Sequence, residues 1–360
     1  MKNITKKFLL AMSFLLMLLF TTPANAAYLQ GDDEINNDYK EVYPPPQIYI
    51  PPKIYLPPRY NDFYSFVSSL SVVSDSPISY NGLSIFLISG GGDYYIQSES
   101  RNIITLEDAY RNGVIRINEY DNGIVSKVWV DNYSASHIFL MAGEIISGGK
   151  QTRTIVRDFL VAPYARNAAV DVYCIEEGRW DDRPKIFTPA EPMLDSRIRG
   201  KVLREEGQDK VWSGIREYEK NSREYSNTHN LFEVYKKRGA DSGLEREIGR
   251  IIDRFPYSAI GMVVTRKDQI LGVEAFYSHE LFMKQFDKLY RSYYYAEVGG
   301  WFYRNVTGND VQNFLSSLKE SRLTEETAYS GVGRLYDVSV NGYYGSALDF
   351  GGIIHLSMIK

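Results

Sequence analysis

Half of the fourteen prolines in this chain of 360 residues lie between Pro44 and Pro58, and they limit where folding can begin. The stretch repeats every six residues, as Tyr43-Pro-Pro-Pro-Gln-Ile, Tyr49-Ile-Pro-Pro-Lys-Ile and Tyr55-Leu-Pro-Pro-Arg-Tyr. Proline lacks the backbone donor that a helix interior or a sheet ladder requires. A polyproline helix with three residues per turn accommodates the repeat and aligns Tyr43, Tyr49 and Tyr55 on one edge. At about 3.1 Å per residue, Tyr43 to Pro58 extends on the order of 50 Å. Residues 43–60 are therefore expected to be a linker. It serves either as a stiff spacer or as a docking strip for an envelope protein partner with an aromatic groove. Residues 27–42 are polar and acidic (Asp32, Asp33, Glu34), have no apolar period, and are expected to be disordered.

Upstream, Lys2, Lys6 and Lys7 precede the 13-residue apolar run FLLAMSFLLMLLF. Pro23 breaks it, and Ala24-Asn25-Ala26 presents the small-x-small pattern of a signal peptidase site. The run is shorter than the roughly 20 residues of a spanning helix. A signal peptide over residues 1–26, cleaved after Ala26, is expected, and with it an extracytoplasmic protein, periplasmic or secreted. Cleavage removes three lysines and no acid, so the formal charge of −4 becomes −7. An acidic chain of this kind has no electrostatic footprint for nucleic acid. No later stretch is long and apolar enough to span a membrane.

Cys174, the single cysteine, cannot form an internal disulfide, so a conventional core must stabilise residues 61–360. The 29 tyrosines and 17 phenylalanines supply material for one. About 300 residues suit one large domain or two closely packed ones, and a single domain over 61–360 is expected. Strands are expected at 82–88, 115–120, 124–130, 137–142, 153–161 and 168–175. The first hairpin turns at Asp121-Asn122-Gly123. Thr105-Leu-Glu-Asp reads as a capping box for a short helix that Gly113 stops. Beyond residue 205 the period becomes helical, with Val211, Trp212, Ile215 and Tyr218 on one face and Leu244, Ile248, Ile251 and Ile252 on another. Residues 260–264 and 270–276 flank a polar turn, Ser278 caps a helix, and a further helix covers about 310–320. Closing strands turn at Asn341-Gly342 and Gly351-Gly352. A strand-rich first half, a helix-rich second half and a return to strands define an α+β domain.

Two polar stretches could carry chemistry: GEIISGGKQTR (143–153) and CIEEGRW (174–180), each at a strand end. Their glycines allow close backbone approach, while Lys150, Arg153 and Arg179 suit a phosphate or carboxylate. Glu144 and Glu176 are candidate acids or bases. The alternative is a pair of turns whose charges neutralise one another. A phosphate loop is excluded, because Gly149 rather than lysine follows Gly148, and Gln151 rather than a hydroxyl residue follows Lys150. The histidines, His137, His229, His279 and His355, are scattered, with no HExxH pair. Cys174 reads as a buried inert thiol.

A strand ending in GE, then GxKQxR, then a strand, then CxExGRW resembles a domain family named for association with ADP-ribosylglycohydrolases and rhodanese-type phosphatases. GQDKVW (207–212), AIGMVVTRKDQILGVEAFYSHELF (259–282) and HLSMI near the end extend the resemblance over roughly 80–358. It implies a shared polar site at Glu144, Lys150, Gln151, Arg153, Glu176, Arg179, Trp180 and Gln208, and a link to nucleotide- or ADP-ribose-like metabolites. Glu144, Lys150, Arg153, Glu176, Arg179 and Trp180 are expected to converge on one concave site. The expected function is an exported binding domain for a small anionic, nucleotide- or sugar-like ligand, with no metal or cofactor. A hydrolase using Glu144 or Glu176 as acid or base, and a structural envelope protein, are the alternatives.

Overall fold

The computed structural model describes residues 62–90, 102–120, 124–179, 186–239, 241–296 and 305–360. These belong to one compact unit of the chain, Pro46–Lys360. The signal segment, the acidic stretch and the Tyr/Pro linker lie outside the described residues, as do Trp180 and the turn at 121–123.

Helix α1 (Asp62–Ser69) leads into β1 (Leu70–Val72), β2 (Ile78–Tyr80) and β3 (Leu83–Gly90). After β4 (Ile103–Thr105), α2 (Leu106–Arg111) opens on the expected capping box of Thr105 with Asp108. A run of strands follows: β5 (Ile115–Glu119), β6 (Lys127–Asn132), β7 (His137–Leu140), β8 (Glu144–Gly148), β9 (Arg153–Ile155), β10 (Phe159–Val161), β11 (Ala168–Cys174) and β12 (Ile186–Met193). Then come α3 (Ser196–Leu203), α4 (Gln208–Ser222), α5 (Leu231–Arg238) and α6 (Ser242–Ile252). The hairpin of β13 (Ala259–Arg266) and β14 (Gln269–Phe276) precedes α7 (His279–Tyr295), which Ser278 caps, and α8 (Gly308–Ser317). The remaining strands are β15 (Arg322–Glu325), β16 (Arg334–Val340), β17 (Tyr343–Asp349) and β18 (Ile353–Ile359).

Six strands close a barrel in the order β11-β6-β5-β12-β8-β9, with β9 pairing back onto β11. Nine others form an antiparallel sheet in the order β1-β3-β13-β14-β18-β17-β16-β15, with β2 on β3, and β10-β7-β4 make a small third sheet. The class is α+β, and the first half is strand-rich. Three local expectations are corrected. The strand expected at 153–161 is two, because the chain turns at Val156-Arg157-Asp158 to send the Asp158 carboxylate inward, where it accepts from the Ala142 amide at 2.9 Å. β12 and α3 add to the expected elements; in β12, Pro189 and Pro192 interrupt the strand pattern, and the strand tolerates them at a register shift against β8 between Pro189 and Met193. The return strand of the first hairpin runs over β6 rather than 124–130.

Both faces of the nine-stranded sheet are covered. Along β3, Leu83, Ile85 and Leu87 enter one core while Phe86 and Ile88 enter another. Phe63, Phe66 and Val67 of α1 and Val311, Phe314 and Leu315 of α8 close the second core. Residues of α7, including Leu281, Phe286 and Leu289, pack into the first. A third cluster joins α3, α4 and α5 through Ile198, Val211 and Leu231 to Ile145 and Ile175. A polar residue deep in the central strands, such as Glu274 of β14 or His355 of β18, is therefore buried and needs a partner.

Candidate functional site

Strand pairing brings the two polar stretches together. Cys174 of β11 lies opposite Arg153 of β9, so the turn after β8 and the turn after β11 are neighbours. Glu176 joins them. Its Oε2 accepts from the Thr152 amide and hydroxyl, both at 3.0 Å. Its Oε1 accepts from Arg179 Nε at 2.9 Å and from the Thr228 hydroxyl at 3.0 Å. Burial pulls this carboxyl upward, but the Arg179 hydrogen bond and the Thr152 amide outweigh it and hold the group below its ordinary range. Glu176 is thus an ionised anchor.

The other residues complete the same network. Arg179 donates from Nη1 to the Gly149 carbonyl at 3.2 Å and from Nη2 to the Gly148 carbonyl at 3.5 Å. Arg153, fully buried, pairs with Glu119 at 2.6 Å and donates to the Lys127 carbonyl at 3.0 Å. The Lys150 amide donates to the second Glu119 oxygen at 2.6 Å. Gln151 Nε2 donates to the Glu176 carbonyl at 2.8 Å, and its Oε1 accepts from the Cys174 thiol at 3.2 Å. Burial pushes that thiol up to about 11, which makes it a poor nucleophile. Gln208 extends the β11 edge like a strand residue, accepting from the Cys174 amide at 2.8 Å and donating to its carbonyl at 2.7 Å. Only glycine fits at 149, where φ is +57° and a Cβ would lie 2.6 Å from Glu119 Oε1.

The loop between α4 and α5 closes over this network, a feature without a motif in the sequence. The Gly178 amide donates to the Thr228 carbonyl at 2.9 Å, and Asn230 Nδ2 donates to the Thr152 hydroxyl at 3.1 Å. From the last turns of α4, Glu219 accepts from the Ser226 amide of the loop at 3.0 Å and faces His229 Nδ1 at 2.6 Å.

Glu144 is not part of this assembly. It begins β8, whose other end forms the turn, and four residues of strand separate the two by roughly 13 Å. Its Oε2 accepts from the Met141 amide and its Oε1 from Lys288 Nζ, each at 2.8 Å, and Lys288 also contacts Glu107. Burial pushes the Glu144 carboxyl up to about 8 and brings the Lys288 amine down to about 7. Both shifts favour the neutral forms, so one proton serves the pair.

Beside it lies a fully buried lattice that sequence reasoning missed. Glu274 of β14 lies opposite Ser357 of β18, and His355 is two residues along on the same face. Arg199 of α3 grips both Glu274 oxygens at 2.6 and 3.1 Å, and donates to the Ser357 hydroxyl at 2.7 Å and the Ala142 carbonyl at 3.1 Å. His355 bridges Asp158 at 2.6 Å and Glu274 at 3.1 Å, and the Tyr293 hydroxyl donates to Glu274 at 2.7 Å. Two cations face two carboxylates in the interior. A readable signal existed: Glu274 interrupts an apolar run, and His355 and Ser357 alternate with Leu356 and Met358 in a strand buried on both faces.

Fold and site together define an α+β domain in which two polar turns meet at the end of a closed barrel braced by a larger sheet. The family model of the ARG and Rhodanese-Phosphatase-superfamily-associated Protein domain matches residues 71–359, and the chain belongs to that family, the one its GxKQxR and CxExGRW stretches resemble. No curated protein and no solved structure matches the chain.

Proposed function

We propose that this is an exported binding domain: a signal segment removed after Ala26, a Tyr/Pro linker, and a folded domain over 61–360. The domain holds a small anionic, nucleotide- or sugar-like ligand at the Glu176–Arg179 turn. Arg179 carries this reading. Its side chain remains 28% exposed although Glu176 and two carbonyls fix its orientation. A guanidinium has five N–H donors, and three of them are used within the described residues. A rigidly held guanidinium with donors to spare suits planar recognition of phosphate or carboxylate.

A thermal-shift panel of nucleotide, sugar-phosphate and ADP-ribose-like anions on the mature protein tests the reading. A ligand at about 100 times its Kd stabilises the native state by about 2.7 kcal/mol, which raises Tm by several degrees. Arg179→Lys keeps the charge opposite Glu176 but loses the fork, and the shift should then fall. A panel without any shift, or shifts equal in the variant, refutes it. Export has a separate test: intact mass of the extracytoplasmic protein should give a species beginning at Ala27, and a species beginning at Met1 counts against it.

The hydrolase alternative is supported by one observation. Of the two candidate carboxyls, Glu144 alone is pushed up to about 8 and so holds a proton at neutral pH, whereas Glu176 is held ionised.

A further inference from the structure

We propose that His229 and Glu219 form a general-base pair on the rim of the Glu176–Arg179 turn, acting on a phosphodiester-like ester whose anionic oxygens Arg179 holds. This rests on the binding reading above.

Glu219 is a buried carboxylate with its side chain 1% exposed, and both oxygens are engaged, one by the Ser226 amide and one by His229 Nδ1 at 2.6 Å. A carboxylate against Nδ1 keeps the proton on that nitrogen, orients the ring, and makes Nε2 the basic atom. Nε2 has no partner among the described residues, and the side chain is 44% exposed. His229 also adopts φ +49°, in the left-handed region that residues other than glycine rarely occupy, and such strain concentrates where a side chain must be aimed. The place of the residue is set by its neighbours. The preceding residue, Thr228, donates to the same Glu176 oxygen that takes Arg179 Nε, and the following residue, Asn230, holds Thr152. A base fixed by a buried carboxylate and a guanidinium fixed by a second one are thus anchored to a single carboxylate-centred loop junction.

The chemistry needs no other reactant than water. Nε2 takes a proton from water as its oxygen bonds to phosphorus. The phosphorus–oxygen bond to the leaving group then breaks, and the leaving group departs with the electron pair. The imidazolium that forms is stabilised by Glu219, and the phosphate charge is met by Arg179.

The test uses the mature full-length chain with bis(p-nitrophenyl) phosphate, reading nitrophenolate release, and inorganic phosphate in a thermal-shift assay to read binding alone. The wild type is expected to turn the probe over. His229→Gln, at a half-exposed position, should keep Tm and the phosphate shift but lose at least about 100-fold in kcat, the low end of what a general base contributes. Glu219→Gln should lower kcat while leaving the phosphate shift in place, with folding checked by Tm. A phosphate shift without turnover in the wild type overturns the pair and leaves the binding reading standing. Turnover unchanged in His229→Gln overturns it as well. Neither shift nor turnover overturns both.

Discussion

Replacing Arg199 by alanine is expected to cost the domain about 3–5 kcal/mol of stability, the penalty typical of stripping one partner from a buried ion pair. Arg199 is fully buried and grips both oxygens of Glu274, itself fully buried, while also satisfying the Ala142 carbonyl and the Ser357 hydroxyl. Without it, two carboxylates, Asp158 and Glu274, crowd one imidazole in a medium that solvates neither. Urea unfolding should show the midpoint falling with the slope unchanged. Combining Arg199→Met with Glu274→Gln should cost less than the two single changes added together, because the second removes the orphaned charge left by the first. A loss below about 1 kcal/mol for Arg199→Ala would place the pair among solvated surface bridges and contradict its burial.

Stability should also decline on the alkaline side through His355. Burial pulls its imidazole down, but Asp158 and Glu274 overcome this and hold it up at about 9. A group raised in the folded state contributes in full below its unfolded value, near 6.5, and that contribution disappears as pH rises through the folded value. The gap corresponds to on the order of 3 kcal/mol. Other groups act in different senses. Glu274, despite its burial, is held down at about 2 by Arg199 and His355, so its contribution is present above the ordinary carboxylate range and is lost only in acid. Glu144, raised by burial to about 8, favours the folded state less as pH rises toward that value, while Lys288, lowered to about 7, favours it more above it. Glu144 and Lys288 are common to the wild type and His355→Gln, and Arg199 still grips Glu274 in the variant, so above the ordinary carboxylate range the difference between the two reports His355. That difference should be largest below pH 6 and shrink toward zero near pH 9 and above. A difference that stays constant from pH 5 to 10 would show that the buried imidazole is neutral.

Local elements were legible wherever local chemistry chose them. The capping box at Thr105, the cap at Ser278 and the Asn341-Gly342 turn between β16 and β17 stand where the residues indicate. The apolar faces of α4 and α6 are buried as their period requires. β12 was not legible, because two prolines hide a strand that a register shift rescues. In the site, Lys150, Gln151, Arg153, Glu176, Arg179 and Gln208 meet through the pairing of β9 with β11, which the spacing of two strand-end motifs anticipates. Glu144 parts from them because GEIIS is itself a strand, and its two ends face different surroundings.

By itself the sequence determined the strongly patterned helices and hairpins, among them α4, α6, α7 and the β13–β14 pair, and that two polar turns would sit at strand ends. These follow from proline chemistry, periodicity and caps, all of which act over a few residues. Tertiary structure alone decided which charges are buried and what neutralises them. His355 finds Asp158 across 197 positions, and Arg199 finds Glu274 across 75. The same holds for Glu176 with Thr228, 52 positions apart, and hence for the placing of His229. A side chain's type sets what partner it needs, but once water is excluded the topology of the sheets selects which partner arrives.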